Sequence, residues 1–320
     1  MSTVSDSVRS AVPTRWQRKT NGAMARVFES DNGLLALCLT PALALFTLVA
    51  LLPMVWAFNL SLYEVSTLNP VWEWTGPGRL VDIVTSGSFQ VAFGRSLIFG
   101  FGSVLFQVVA GVGLALLVNK EFKGAVLARA LALLPYLVPA VVIGMVGQFM
   151  LNAQYGIINL LLLRIGILDD PVAFLGLPET AMVTVMIVGS WKFAVFVTLL
   201  TLARLQSIPE HFYEGATMCG ANAYQKFRDI TLPRIKNVIL IAALLRTLWM
   251  FNKFDIIYIM TRGGPGESTT TIPLLAYEIA FNQYNLGEAA GIAAVMFVFL
   301  AGWSVMYFRV AEPEQEVRVA

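Results

Sequence analysis

Four stretches of the chain run without a charged side chain for at least the roughly twenty residues that a bilayer-spanning helix requires: Asn32 to Tyr63, Ser96 to Asn119, Ala130 up to Arg164, and Ala289 to Phe308. Two further segments are apolar but interrupted, 181–203 by Lys192 and 237–260 by Arg246, Lys253 and Asp255. The pattern predicts an all-α polytopic membrane protein with six transmembrane helices. They fall at about 34–60, 96–118, 130–151, 181–203, 237–260 and 288–308. Pro53, Pro135 and Pro139 lie in or near these spans, where neighbouring helices can satisfy the carbonyls a proline frees. Turn residues punctuate the connections on one side: Asn69-Pro70, Gly76-Pro77-Gly78 and Gly263-Gly264-Pro265-Gly266. The stretch from Ile272 to Tyr284 is too polar to span and reads as a short helix against the outer mouth.

Composition agrees with lipid as the solvent. Hydrophobic residues make up 57% and charged residues 13%, about half the charged share of soluble domains. The net charge of +2 gives no reason to expect a nucleic-acid partner. Cys38 lies in an apolar run and Cys219 in a polar loop, so neither a disulfide, a metal site nor a cofactor is indicated. Residues 1–33 form a polar tail with Arg9, Arg15, Arg18, Lys19 and Arg26. It is too long for the charged start of a signal peptide, and the following apolar run exceeds a signal-peptide core, so that run reads as a retained anchor.

Lys and Arg then orient the spans. The first tail, Lys120, Lys123 and Arg129, the 204–236 loop with Arg204, Lys226, Arg228, Arg234 and Lys236, and finally Arg309 and Arg318 put fifteen cations on one side. Arg79, Arg95, Arg164 and Arg262 fall on the other. Both termini, including a tail at 311–320, and the 204–236 loop are therefore expected in the cytoplasm.

That loop carries its own structural signals. Pro209 and Glu210 suit the first turn of a helix, Gly220 suits the positive φ just past its end, and Asn222 can cap a second short helix that Pro233 ends. Phe212, Tyr213, Ala216 and Met218 offer apolar surface for a protein contact. Glu214-Gly215-Ala216, Gly220, and then Ile230, Leu232 and Pro233 resemble the EAA signature of type I ABC-importer permeases. Leu205-Gln206-Ser207-Ile208-Pro209 and Thr261-Arg262-Gly263-Gly264-Pro265 resemble its carbohydrate-uptake branch, the first subunit of maltose-type pairs. The likeness covers roughly residues 35–310.

The resemblance implies a type I importer (MetI-like) core at 34–310 and a loop helix that inserts into a cytoplasmic ATPase. Glu214 would be its polar anchor and Gly220 its turn, with Gly215, Ala216, Leu232 and Pro233 completing the motif. It also implies a second homologous permease, a dimer of ABC ATPase subunits and an extracytoplasmic solute-binding protein. Two positions depart from the family pattern. Gly215 replaces the usual alanine, which weakens a helix by about 1 kcal/mol, and Cys219 stands where aspartate is usual.

Charges inside spans face a protein interior or a cavity. Arg246, Trp249, Met250 and Lys253 recur at i, i+3, i+4 and i+7, predicting one face of the fifth helix beside Asn252 and Asp255. Similar permeases line a sugar site at positions matching Lys192, Phe196, Trp249, Met250 and Lys253. Arg246 belongs to the same face. Aromatic rings with hydrogen-bond donors suit a sugar's apolar faces and polar edges. The competing expectation is a structural ion-pair network of Arg246, Lys253 and Asp255. A positive cavity also admits a phosphorylated ligand such as a glycerophosphodiester, and the same machinery could carry a polyol.

Other functions fit less well. No Gly-Lys-Ser or Gly-Lys-Thr phosphate loop occurs, so the chain cannot energise itself as such an ATPase. An ion-coupled secondary transporter would show inverted repeats and broken midplane helices, and neither is clear in the sequence. An intramembrane enzyme lacks support: the sole histidine, His211, is in the loop, and there is no His-Glu-x-x-His or Gly-x-Ser-x-Gly motif.

Overall fold

The computed structural model describes residues 31–66, 68–120 and 122–311. The expected basic tail with Arg9, Arg15, Arg18, Lys19 and Arg26, and the C-terminal tail with Arg318, lie outside the described residues. The chain forms two compact units that meet at Asn59 and Leu60.

The first unit is one apolar helical run: α1 (Asp31–Phe46), a π turn (Thr47–Leu51) and the start of α2 (Leu52–Leu60). The π turn sits where Pro53 demands it. Proline has no N–H and its ring excludes the carbonyl four residues back, so the preceding turn widens and Leu52 N–H donates to Thr47 O.

The second unit opens with a β-hairpin, β1 (Tyr63–Ser66) and β2 (Asn69–Trp74), pairing Tyr63 with Trp74 and Glu64 with Glu73. The all-α expectation omits this small sheet. After α3 (Gly78–Thr85), the Ser86 hydroxyl caps α4 (Gly87–Val118) by accepting Phe89 N–H at 3.3 Å. That cap starts the helix nine residues before the expected span.

The expected span at 130–151 is two helices, α5 (Ala125–Leu137) and α6 (Ala140–Met150), bent by 92°. Pro139 causes the break. It forces Val138 out of the helical region to φ −72, ψ 130 and cannot donate to the α5 carbonyls. A short α7 (Ile157–Arg164) follows, its Asn159 side chain bridging Asn152 O and the Val172 backbone. Then comes the long α8 (Pro178–Gln206).

The loop folds as α9 (His211–Met218) and α10 (Ala223–Lys226), and a π turn (Phe227–Thr231) leads into α11 (Leu232–Phe251). Here the expectation for Pro233 is corrected. It does not end a short helix; it sits in the first turn of α11, and Leu232 N–H donates to Phe227 O across the π turn. Leu52-Pro53 and Leu232-Pro233 thus use one device. The fifth expected span is also broken, with α11 and α12 (Asp255–Thr261) bent by 50° at residues 252–254. A short helix, α13 (Ile272–Tyr277) with a π turn (Glu278–Asn282), buries Ile272, Leu274 and Ile279. The chain closes on α14 (Leu286–Ala311).

Among the described residues, four helices are long and apolar enough to cross a membrane, and six spans result if each bent pair counts as one. The most extensive helix packing joins α4 to α8. At Gly111 a Cβ would lie 2.7 Å from the Ala194 carbonyl oxygen, so the glycine sets the separation of these helices.

Candidate coupling surface and translocation path

Helix α9 is held at both ends. Past its C-terminus Gly220 has φ +78, and Ala221 N–H donates to Ala216 O while Gly220 N–H donates to Thr217 O, the paired bonds of a Schellman close. Asn222 and Gln225 then form a capping box at the start of α10. One face of α9 points inward: the Tyr213 ring packs on a core of Ala115, Leu205, Ile208 and Ile235. The other points out. Glu214 is exposed and, among the described residues, has no ion-pair partner; Met218 is 92% exposed.

Phe212 is partly exposed, with the Arg234 guanidinium 3.6 Å from its ring centroid. A Cβ at Gly215 would meet nothing within 4 Å, so no packing requirement explains the glycine there. Ala216 is half-buried, whereas Leu232 and Pro233 are exposed and shape the start of α11 rather than fill a core.

The intramembrane candidates converge on a residue the sequence reading passed over. The Phe193 ring centroid lies 5.3 Å from Lys192 Nζ, 4.5 Å from Arg246 Cζ and 4.7 Å from Lys253 Nζ. Its adjacency to Lys192 was the only signal available. Arg246 is 2% exposed, and its Nε donates to Gln107 Oε1 at 2.6 Å. Its guanidinium also reaches Met250 Sδ at 3.2 Å and stands 5.2 Å from the Trp249 ring.

The expected network of Arg246, Lys253 and Asp255 is therefore corrected. Asp255 pairs with Lys253 at 3.0 Å, and the acceptor on Arg246 is a neutral amide. The expected four-residue stripe is corrected too. Arg246, Trp249 and Met250 lie on α11, but the helix ends at Phe251 and Lys253 belongs to the break. Met250 is 1% exposed and buried. Trp249 is 46% exposed and meets Phe196 edge-on at 5.1 Å, so these two rings and Lys253 make the accessible part of the set.

Both broken spans break at this cluster. Lys192 Nζ donates to the Val138 carbonyl at the α5–α6 break, while Lys253 occupies the α11–α12 break. Beyond the breaks, α6 and α12 pair closely. Gln148 Nε2 donates to Ile259 O at 2.7 Å and Met260 O at 2.9 Å, and Gly144 leaves room for Ile259. A cavity of about 610 Å³ opens beside this pair, lined by Gln148, Asn152, Gln154, Tyr155, Leu175 and Met260. Nearby, the Thr261–Pro265 turn is tied by a Thr261–Thr269 hydroxyl contact at 2.6 Å. Burial, and secondly Glu267, holds the Glu278 carboxyl above its usual range. Among the described residues no group of His, Cys, Asp or Glu could hold a metal ion.

Apolar spans broken around a cluster of cations and aromatic rings suit a membrane transport protein. The profile of the family described as "Binding-protein-dependent transport system inner membrane component" matches residues 107–311, and the chain belongs to that family. It is 35% identical, over 86% of its length and 92% of the relative's, to the trehalose/maltose transport system permease protein of Thermococcus litoralis. It is 30% identical, over 88% and 91%, to the sulfoquinovosyl glycerol transport system permease protein of Agrobacterium fabrum. A chain of a bacterial alginate ABC transporter, crystallised with an alginate-pentasaccharide-bound periplasmic protein, superposes with a TM-score of 0.72 at 26% identity, covering 87% of this chain and 95% of that one. The fold is that of a polytopic type I importer permease.

Proposed function

We propose that this chain is the permease subunit of an ATP-driven importer of a sugar or sugar derivative, paired with a second permease. A dimer of cytoplasmic ABC ATPases would drive the pair, and an extracytoplasmic binding protein would supply it. The observation that carries the ATPase coupling is α9: a short helix, locked by a Schellman close and a capping box, that leaves Glu214 and Met218 free for a partner. The similarity to the trehalose/maltose and sulfoquinovosyl glycerol permeases supports the solute class. The count of Lys and Arg supports placing both termini and the 204–236 loop in the cytoplasm.

Along the path, Phe196 and Trp249 would stack on the apolar faces of a sugar and Lys253 would bond its polar edge. Lys192, Arg246 and Met250 would hold those groups in place. A glycerophosphodiester is the second reading, favoured by three cations around Phe193 against the single Asp255 carboxylate bound to Lys253.

The test is to purify the complex through this chain, identify its subunits and reconstitute it in vesicles. Glu214→Ala and Gly220→Pro should leave ATP hydrolysis running while solute uptake is lost. Wild-type uptake by both variants would sink the coupling assignment. Recovery of the chain alone, active without ATP, would sink the importer assignment.

A further inference from the structure

Helix α9 is joined to the base of α11 by a closed ring of four side-chain hydrogen bonds. The Tyr213 hydroxyl lies 3.0 Å from Thr231 Oγ1. Thr231 Oγ1 in turn donates to the Lys226 carbonyl at 3.3 Å, so its one proton is committed and Tyr213 is the donor to it. Lys226 Nζ donates to Thr217 Oγ1 at 2.8 Å, and Thr217 Oγ1 donates to the Tyr213 carbonyl at 2.6 Å. The ring therefore returns to Tyr213, through two residues of α9, the last residue of α10 and the last residue of the π turn.

Its site matters as much as its closure. Thr231 is 5% exposed and stands where the π turn passes into α11, the helix that carries Arg246, Trp249 and Met250. A π turn is one of the places where such a rod can kink, because its i→i+5 bonding interrupts the regular ladder. The ring closes over that point. A second tie runs beside it: Arg234 stacks on Phe212 and its carbonyl accepts from Arg204 Nε at 3.0 Å. The elbow between α9 and α10 is itself stiffened by the Schellman close and the capping box. Displacement of α9 thus reaches α11 through a stiff joint rather than a flexible loop.

We infer that the hydroxyls of Tyr213 and Thr231 are positioning residues for energy coupling, making the π turn a rigid joint that carries movement of α9 into α11 and so to the Trp249 face of the path. The inference rests on the reading that α9 engages an ATPase. Breaking the ring should let the π turn flex and absorb the stroke, so ATP is hydrolysed with less solute moved.

The experiment uses the purified complex in vesicles and reads solute imported per ATP hydrolysed, with the amount of co-purifying ATPase as the assembly control. Tyr213→Phe and Thr231→Val each remove one hydroxyl and almost no volume. Tyr213→Phe removes one bond of the ring and should lower the ratio about fivefold, as expected for one net hydrogen bond at the joint, and Thr231→Val removes two and should lower it at least as far, with ATP turnover and assembly retained in both. Thr231→Ser keeps the hydroxyl and should restore the ratio.

An unchanged ratio in both variants, with ATPase bound, overturns the inference while leaving the importer reading intact. So does a fall in ATPase, uptake and assembly together, which marks the ring as merely structural. Purification of the chain with no ATPase at all overturns both.

Discussion

The sharpest question about the translocation path is whether Arg246 serves the fold or the ligand, and Gln107 decides it. Gln107 is fully buried, Arg246 is 2% exposed, and the amide oxygen takes the guanidinium Nε at 2.6 Å. Gln107→Leu keeps the volume and removes that acceptor, along with a 3.4 Å donation from Gln107 Nε2 to Ser190 Oγ that is lost equally in any variant at this position. A hydrogen bond to a charged group contributes about 1.5–3 kcal/mol, and a buried cation stripped of its partner sits at the upper end, so the loss should be about 2–3 kcal/mol. The ring faces of Phe193 and Trp249 and the Met250 sulfur remain but cannot replace an oxygen.

Replacing both partners by apolar groups removes the unmet demand instead of creating one. The double variant Gln107→Leu with Arg246→Met should therefore be more stable than Gln107→Leu alone by roughly 2 kcal/mol. Heat challenge of the purified complex, scored by the monodisperse fraction, should show melting points separated by on the order of 5 °C. Uptake by the double variant should keep its KM for solute. A double variant no more stable than Gln107→Leu would refute the structural account. Restored stability with lost uptake would place Arg246 on the ligand.

Two further outcomes concern the α4–α8 packing and Glu278. Gly111→Val puts a Cβ 2.7 Å from both the Ala194 carbonyl oxygen and Val197 Cβ, forcing α4 and α8 apart at a cost of about 1–3 kcal/mol, whereas Gly113→Ala meets open space. Folded yield in membranes should fall for the first and hold for the second; equal yields would mean Gly111 does not set the contact. Because its carboxyl is raised by burial and then by Glu267, Glu278 holds its proton more tightly folded than unfolded. It favours the fold at low pH and loses that contribution as pH rises through the raised value. Glu278→Gln should flatten this slope in thermal scans over about pH 4–7, and an unaltered slope would contradict it.

What the sequence disclosed, and what it hid, follows from the kind of signal each residue sends. Uncharged runs locate α4 and α14, and α8 is found despite Lys192, because lipid demands apolarity along a whole span. The same demand conceals the α5–α6 break: Val138 and Pro139 are as apolar as their neighbours, so hydropathy cannot show a 92° change of direction. Only Pro139 carried that signal, and a proline near a span is compatible with a straight one. Gly220 was legible because positive φ leaves few other residues. Pro233 was not, because a proline suits the first turn of a helix as well as the end of one. Charge suggested Asp255 for Arg246. The actual acceptor, Gln107, is neutral and 139 residues away, and nothing in composition or spacing links the two.

Pro139 and Lys192 explain each other once the break is seen. A proline that interrupts a span leaves carbonyls without donors in a medium that offers no water, at a cost of several kcal/mol each. A lysine in a span costs about 2.5–3.5 kcal/mol on insertion scales and persists only where something uses it. Lys192 Nζ donates to the carbonyl of Val138, the residue Pro139 bends out of the helix, so the two costs offset one another in a single contact. The neighbouring break is treated the same way, with Lys253 Nζ 3.0 Å from both Asp255 oxygens, one of which, Oδ1, also accepts Ile256 N–H at 2.9 Å. On this account the cations of the cluster follow from the breaks in α5–α6 and α11–α12. Positive charge in this region therefore favours an anionic solute less strongly than a count of the three cations alone would. The stronger grounds for recognition are the faces that remain accessible after every charge has found its partner, those of Trp249 and Phe196.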